Sequence, residues 1–167
     1  MKKSSSKNNN KLKNFKMPEL KILNSKEIKE IYKLIESQWG AKIKLDFGFL
    51  KNNKNRIFVI NRGISKIDMS KLRLNSVGMY FCEADALGIR LSIEGSQIVG
   101  PKAGKNVVEL NEEETRKWFK GEDLEKECGN CRGFVILKNK NNFLGTGKYS
   151  NGRILNYVAK TRRVNVA

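Results

Sequence analysis

Apolar residues in this chain come in short runs broken by glycine and asparagine, and only two stretches show helical spacing. Short runs of this kind make strands, and clusters of Asn, Gly and Lys between them make turns. Ile28, Ile31, Tyr32, Ile35 and Trp39 recur at three- and four-residue steps, which predicts a helix from about Ser25 to Trp39 with one apolar stripe facing the core. Asn24 with Glu27 three residues on reads as a capping box, and Gly40 as the stop. Asn111 with Glu114, then Gly121, repeats that punctuation around a second helix from Glu112 to about Lys120, with acids in its first turn and bases in its last.

Strands are expected over Ile43–Phe47 and Arg56–Asn61 as a hairpin about the Asn52–Asn55 turn, then over Leu74–Cys82 and Gly88–Ser92. Further strands are expected at Asn106–Leu110, Gly133–Lys138, Phe143–Lys148 and Arg153–Val158. The fold class is therefore α+β. Residues 1–16 are polar, basic and of low complexity, and read as a disordered tail. The Pro101–Lys105 stretch is the expected joint between a small α+β module at 17–103 and a second unit at 104–167.

Charge points to the partner. Thirty-four Lys and Arg against seventeen Asp and Glu leave +17, and such a surface attracts polyanions. The distribution is uneven: eight of the acids fall in residues 109–127, whereas Cys128 to Ala167 holds eight Lys or Arg and no acid. A forty-residue segment free of acids predicts one electropositive face. No run reaches the ~18–20 apolar residues of a membrane span, and no apolar segment follows the basic N-terminus, so a cytoplasmic protein without membrane attachment is expected.

The absence of His removes Ser-His-Asp and Cys-His chemistry. Neighbouring carboxylates such as Glu83 with Asp85, or Glu122 with Asp123, read as solvated or salt-bridged groups rather than a catalytic pair. Cys128 and Cys131 have the spacing of half a zinc knuckle, but only Cys82 remains to complete it; the readings are a turn between helix and strand, a metal half-site, or a redox pair, with the turn favoured. Three Cys in all suit a reducing compartment rather than a disulfide framework. Gly145-Thr146-Gly147-Lys148 lacks the full phosphate-loop pattern, since Tyr149 stands where Ser or Thr is needed. Its glycines either admit an RNA backbone or serve strand curvature. Ser92–Ser96 reads as a structured loop seating one module on the other, with contacts to RNA sugars as the alternative. Neither a metal nor a cofactor is expected.

Gly133–Leu137 followed by Phe143–Lys148 is similar to the closing hairpin of PUA domains. More broadly, residues from about Val77 to Arg163 resemble the PUA-like tail of Fmu/Sun-type RNA cytosine-5 methyltransferases. The resemblance is carried by Arg90–Gly100, Asn106–Leu110, Trp118–Glu122 and Arg153–Val158. The helix-first N-terminal layout resembles the pre-PUA module of small ribosome-biogenesis factors. The resemblance implies a PUA-like pseudo-β-barrel that binds structured rRNA or tRNA and positions it for a catalyst. No Rossmann pattern precedes Gly104, so the chain reads as a non-catalytic targeting tail, serving ribosome maturation or RNA modification. Its expected partners are RNA and an RNA methyltransferase or ribosome-assembly factor; a basic protein–protein adaptor is the rival reading. In PUA domains RNA lies between a helix with its glycine loop and a late strand. That places the interface at Lys102 and Lys105, at Arg116, Lys117, Lys120 and Gly121, and at Lys148, Arg153, Lys160, Arg162 and Arg163. Tyr149 and Tyr157 are candidate stacking platforms, though a core role is favoured for both.

Overall fold

The computed structural model describes residues 20–63 and 78–164; the expected tail at 1–16 and the first part of the Leu74–Cys82 strand lie outside them. The α+β expectation holds, as two five-stranded sheets with helices packed on and between them. The first sheet is an antiparallel meander of β1 (Leu20–Ile22), β2 (Gly48–Asn52), β3 (Arg56–Ile60), β4 (Met79–Asp85) and β5 (Gly88–Leu91). Helix α1 (Ser25–Trp39) lies between β1 and β2 in sequence and turns Ile31, Ile35 and Trp39 into the core. Its Asn24 capping box and left-handed Gly40 stop are as the sequence predicts.

The second sheet is curled, in the order β6–β8–β9–β10–β7. It comprises β6 (Val107–Glu109), β7 (Leu124–Glu125), β8 (Gly133–Asn139), β9 (Asn142–Ser150) and β10 (Arg153–Leu155). Strand β6 runs parallel to β8, and the remaining pairs are antiparallel. A parallel neighbour needs a crossover, and α3 (Glu112–Lys120) lies in that connection, capped by Asn111 and ended by Gly121 in the left-handed region at φ +89.

Strand β8 explains the uninterrupted apolar run Phe134-Val135-Ile136-Leu137. Side chains alternate across a strand, so a run without polar residues needs both faces covered. Phe134 and Ile136 join the core around α1 and the first sheet, whereas Val135 and Leu137 join Trp118, Leu124 and Ile154 in a second core beneath α3. One strand is thus a wall of both cores. The end of α1 is also fastened across position 104. The Trp39 indole donates to the Phe134 carbonyl at 3.2 Å, Gly104 N–H donates to Trp39 O at 2.8 Å, and the Asn106 amide donates to Gln38 O at 2.7 Å.

Four local expectations are corrected. Ile43–Phe47 is not a strand; Ile43 and Leu45 rest half-buried on the α1 core, and Leu45 N–H donates to the Tyr32 hydroxyl at 3.0 Å. Alternation there records one buried face without a ladder, and the hairpin strand begins at Gly48. Ser92–Ser96 is not a loop but the cap and first turns of α2 (Ile93–Val99), where Ser92 Oγ accepts from Gly95 N–H at 2.9 Å. Strand β10 stops at Leu155 because Asn156 leaves the ladder: its amide donates to the Trp118 and Glu122 carbonyls at 2.8 and 2.9 Å. Finally, Cys128 and Cys131 form the expected turn, with Cys131 N–H donating to Cys128 O at 2.7 Å, but the two sulfurs are joined as a disulfide, which corrects the expectation of reduced cysteines. The four-residue turn closed by that hydrogen bond brings the two thiols together locally, which a count of cysteines does not show. Cys82 remains free and fully buried.

Candidate nucleic-acid interface

Acids from α2, β6, α3 and the α3–β7 region intercept much of the basic C-terminal segment. Lys138 pairs with Glu109 at 3.0 Å, Lys140 with Glu112 at 3.0 Å, and Arg153 with Asp123 at 3.1 Å and Glu125 at 3.4 Å; Arg162 pairs with Glu94 of α2. The acid-rich stretch 109–127 and the acid-free segment are complementary partners in space. The expectation of one uninterrupted electropositive face over that segment is therefore corrected. Lys117 is likewise bound to Glu113 at 2.8 Å, and the neighbouring carboxylate raises its pKa.

Seven bases of the candidate set, namely Lys102, Lys105, Arg116, Lys120, Lys148, Lys160 and Arg163, have no ion pair with a described acid. Two groupings emerge among the candidates. The first surrounds the end of α3. Arg116 and Lys120 border a hollow of about 540 Å³ floored by Phe119 and Val164. Val164 N–H donates to Phe119 O at 2.9 Å, so the chain's last described residues run along α3. Arg163 lies over Gly121, where an added Cβ would sit 2.4 Å from the guanidinium, and its Nε donates to Val158 O at 3.1 Å. Glycine at 121 is required both by its φ and by this close approach.

The second grouping is a cleft between the two sheets. Its floor is apolar, made by Leu91, Ile93, Trp118, Leu144 and Val158, and its volume is about 240 Å³. Arg56, Arg90, Arg162 and Glu94 line it together with Tyr80 and Tyr157. Glu83 takes Arg90 at 2.8 Å and Arg56 at 3.4 Å. The Arg90 guanidinium lies over the Tyr157 ring at 4.7 Å, and Phe134 meets that ring edge-on at 5.9 Å. Tyr157 is 39% exposed, so it is neither a core residue nor a free platform. Burial pushes the Tyr80 hydroxyl up to about 12 against the opposing pull of Arg90, so it stays a hydrogen-bond donor at neutral pH. Below the rim, Thr146 donates to Leu91 O at 2.9 Å and the Trp118 indole to Leu144 O at 3.0 Å, fixing α3 and β9 against β5.

Of the other candidates, Lys105 lies beside Gly40 at the end of α1, and Lys102 ends the 3-10 turn after α2. Lys148 stands on β9 opposite Phe134 and Leu155, and Lys160 opens the last 3-10 turn. Tyr149 packs against the α3 core and its hydroxyl donates to Glu127 at 2.8 Å. Lys102, Lys105 and Lys148 do not line the hollow beside α3. Sequence reasoning missed Arg56, Tyr80 and Arg90, and reached Glu94 only as part of the Ser92–Ser96 stretch. Two-residue alternation marks Arg56 and Arg90 as outward-facing, but only the sheet register, Arg56 and Arg90 both opposite Glu83, joins them.

A parallel β6–β8 pair crossed over by a short capped helix, followed by the β8–β9 hairpin, is consistent with the PUA-like layout that the sequence resemblance implies for the C-terminal unit. Residues 105–164 match the family model described as the methyltransferase RsmF PUA domain. The chain is similar to the ribosomal RNA small subunit methyltransferase F of Aeromonas salmonicida, 29% identical over 136 residues, which is 80% of this chain and 27% of the relative. The protein of the same name from Vibrio cholerae serotype O1 is 28% identical over 88 residues, covering 53% of this chain and 19% of the relative. The chain thus spans from about a fifth to just over a quarter of the length of these curated relatives. The tail-like resemblance read from Val77 to Arg163 is confirmed in kind, and similarity extends beyond it toward the N-terminus.

Proposed function

We propose that this chain binds structured RNA, rRNA before tRNA, and holds it for modification or ribosome maturation without performing chemistry itself. One observation carries the reading: a PUA-like domain similar to those of rRNA methyltransferases presents Arg116 and Lys120, unpaired with described acids, beside the C-terminal segment. Phosphate contacts from such side chains supply affinity with little sequence preference. Lys160 of the last 3-10 turn adds to this charge and Lys102, Lys105 and Lys148 add it elsewhere on the molecule, while Lys117, Arg153 and Arg162 contribute less at this hollow because each already serves an acid. Arg163 and Gly121 shape the site rather than charge it. A methyltransferase acting in trans is the partner that the relatives suggest.

The test is fluorescence anisotropy with a labelled rRNA hairpin across a salt series. Affinity should fall log-linearly with salt, and neutralising Arg116, Lys120 and Lys160 together should flatten the slope by about three. An unchanged slope with the fold intact refutes the interface.

A further inference from the structure

The cleft between the sheets has a composition that general phosphate binding does not need. A site for the backbone alone is open and cationic. This one is a bounded hollow with an apolar floor, two tyrosines and three arginines at its wall, and one carboxylate. Its 240 Å³ falls below the ~300–1,000 Å³ of drug-sized sites, which limits it to a ligand with one ring system. The polar atoms are divided. The half-exposed guanidiniums of Arg56 and Arg162 stand at the rim, at side-chain exposures of 51% and 53%, whereas Arg90 at 24% lies deeper against Tyr157.

We propose that this cleft is the binding pocket for a single nucleotide extruded from the RNA, its base set against Tyr157 and the apolar floor and its phosphate held by Arg56 and Arg162. The inference rests on the RNA-binding reading and specifies where an unpaired base goes. Bases of single-stranded RNA are recognised by stacking on aromatic and guanidinium planes and by hydrogen bonds to their edges. The Arg90–Tyr157 stack supplies the rigid wall. Phe134 buttresses the tyrosine from behind the rim, so the wall is ordered before the base arrives. Neither tyrosine hydroxyl has a hydrogen-bond partner among the described residues, leaving both to the ligand.

Glu94 gives the pocket a direction. A carboxylate only accepts hydrogen bonds. Arg162 engages its Oε1 and leaves Oε2 for a base edge. A base that offers an amino group, such as cytosine or guanine, satisfies it; uracil presents a carbonyl at the position where cytosine has its amino group, and is disfavoured. The Arg162–Glu94 pair also closes the mouth between α2 and the last 3-10 turn, and a phosphate arriving at Arg162 competes for that guanidinium. Nucleotide binding therefore loosens the C-terminal segment from α2.

The experiment uses the full chain and four labelled hairpins, one fully paired and three carrying a single bulged cytosine, uracil or 2-aminopurine. The bulged hairpin should bind about tenfold more tightly than the paired one, in line with the stacking of one base. Y157A should abolish that preference while leaving affinity for the paired hairpin unchanged. Y157F should keep it. A bulged uracil should lose most of the advantage over the paired hairpin, and E94Q should narrow the gap between cytosine and uracil. Equal affinity for all hairpins, with 2-aminopurine fluorescence unmoved, overturns the pocket while the RNA-binding reading stands. No RNA binding at low salt overturns both. Binding of free cytidine monophosphate in that case, sensitive to Y157A, assigns the pocket to a free nucleotide and refutes RNA as its source.

Discussion

Replacing Gly95 by alanine sets helix propensity directly against packing. Alanine is favoured over glycine inside a helix by about 1 kcal/mol, so α2 taken alone gains from the change. In the fold, however, the new Cβ would sit 2.2 Å from the Phe81 carbonyl oxygen. That oxygen belongs to the backbone of β4 and already accepts from Ser92 N–H at 2.9 Å, so no side-chain rotation relieves the clash. At least ~0.8 Å of separation between α2 and β4 is needed to reach even the shortest distances that real Cβ atoms show. Overpacking of well-fitted cores costs about 1–3 kcal/mol, and a rigid backbone contact belongs at the upper end. Subtracting the propensity gain leaves a loss of about 2 kcal/mol, or roughly 4–8 °C in Tm for a chain of this size. Differential scanning calorimetry reads it, with G104A as control because a Cβ there meets nothing within 4 Å. If G95A melts at or above the parent temperature, the seating of α2 against β4 is wrong, and with it the wall of the cleft.

W118F should lower stability by about 1–3 kcal/mol in denaturant titrations, because the buried Leu144 carbonyl loses its indole donor; unchanged stability would refute that role. N111A removes the capping box of α3 and should cost about 1 kcal/mol, seen as a lowered urea midpoint at constant m. Burial works to raise the pKa of Glu114, but hydrogen bonds from Lys126 and the Asn111 backbone overcome it and leave the pKa lowered. A carboxylate depressed on folding adds stability that is fully present above its unfolded pKa, near 4.5, and is lost as pH falls through the folded value. The stability gap of about 1 kcal/mol between the parent and E114Q should therefore close on acidification below that point, and a gap unchanged at pH 2 refutes the linkage. Cys82, whose thiol pKa is pushed far up by burial and by the neighbouring Glu83, should resist thiol reagents until the chain is unfolded; rapid labelling of native protein would contradict its place in the core.

What the sequence determined by itself was local. Helices α1 and α3 were legible to the residue, because their caps Asn24 and Asn111, their Glu partners and their terminal glycines act within one turn of chain. The β8–β9 hairpin was equally plain, since a turn at Asn141 joins one apolar run directly to the next, although the two turn residues are Lys140 and Asn141 and Asn142 already pairs with Asn139. Strands β1 and β7, only three and two residues long, carried no such signal, because their pairing depends on partners far along the chain.

The site was less legible, and charge shows why. Counting Lys and Arg points to a polyanionic partner, but Coulomb attraction acts through space, and folding brings Glu109, Glu112, Asp123 and Glu94 to Lys138, Lys140, Arg153 and Arg162. Arg56, Tyr80, Glu94 and Tyr157 are spread over a hundred residues of sequence, and of these only Tyr157 stands out by itself. Only the register of β3, β4 and β5, and the packing of α2 against β9, place them around one hollow. Capping and turn preferences are written in neighbouring residues; a cleft between two sheets exists only once long-range packing has set the sheets against each other.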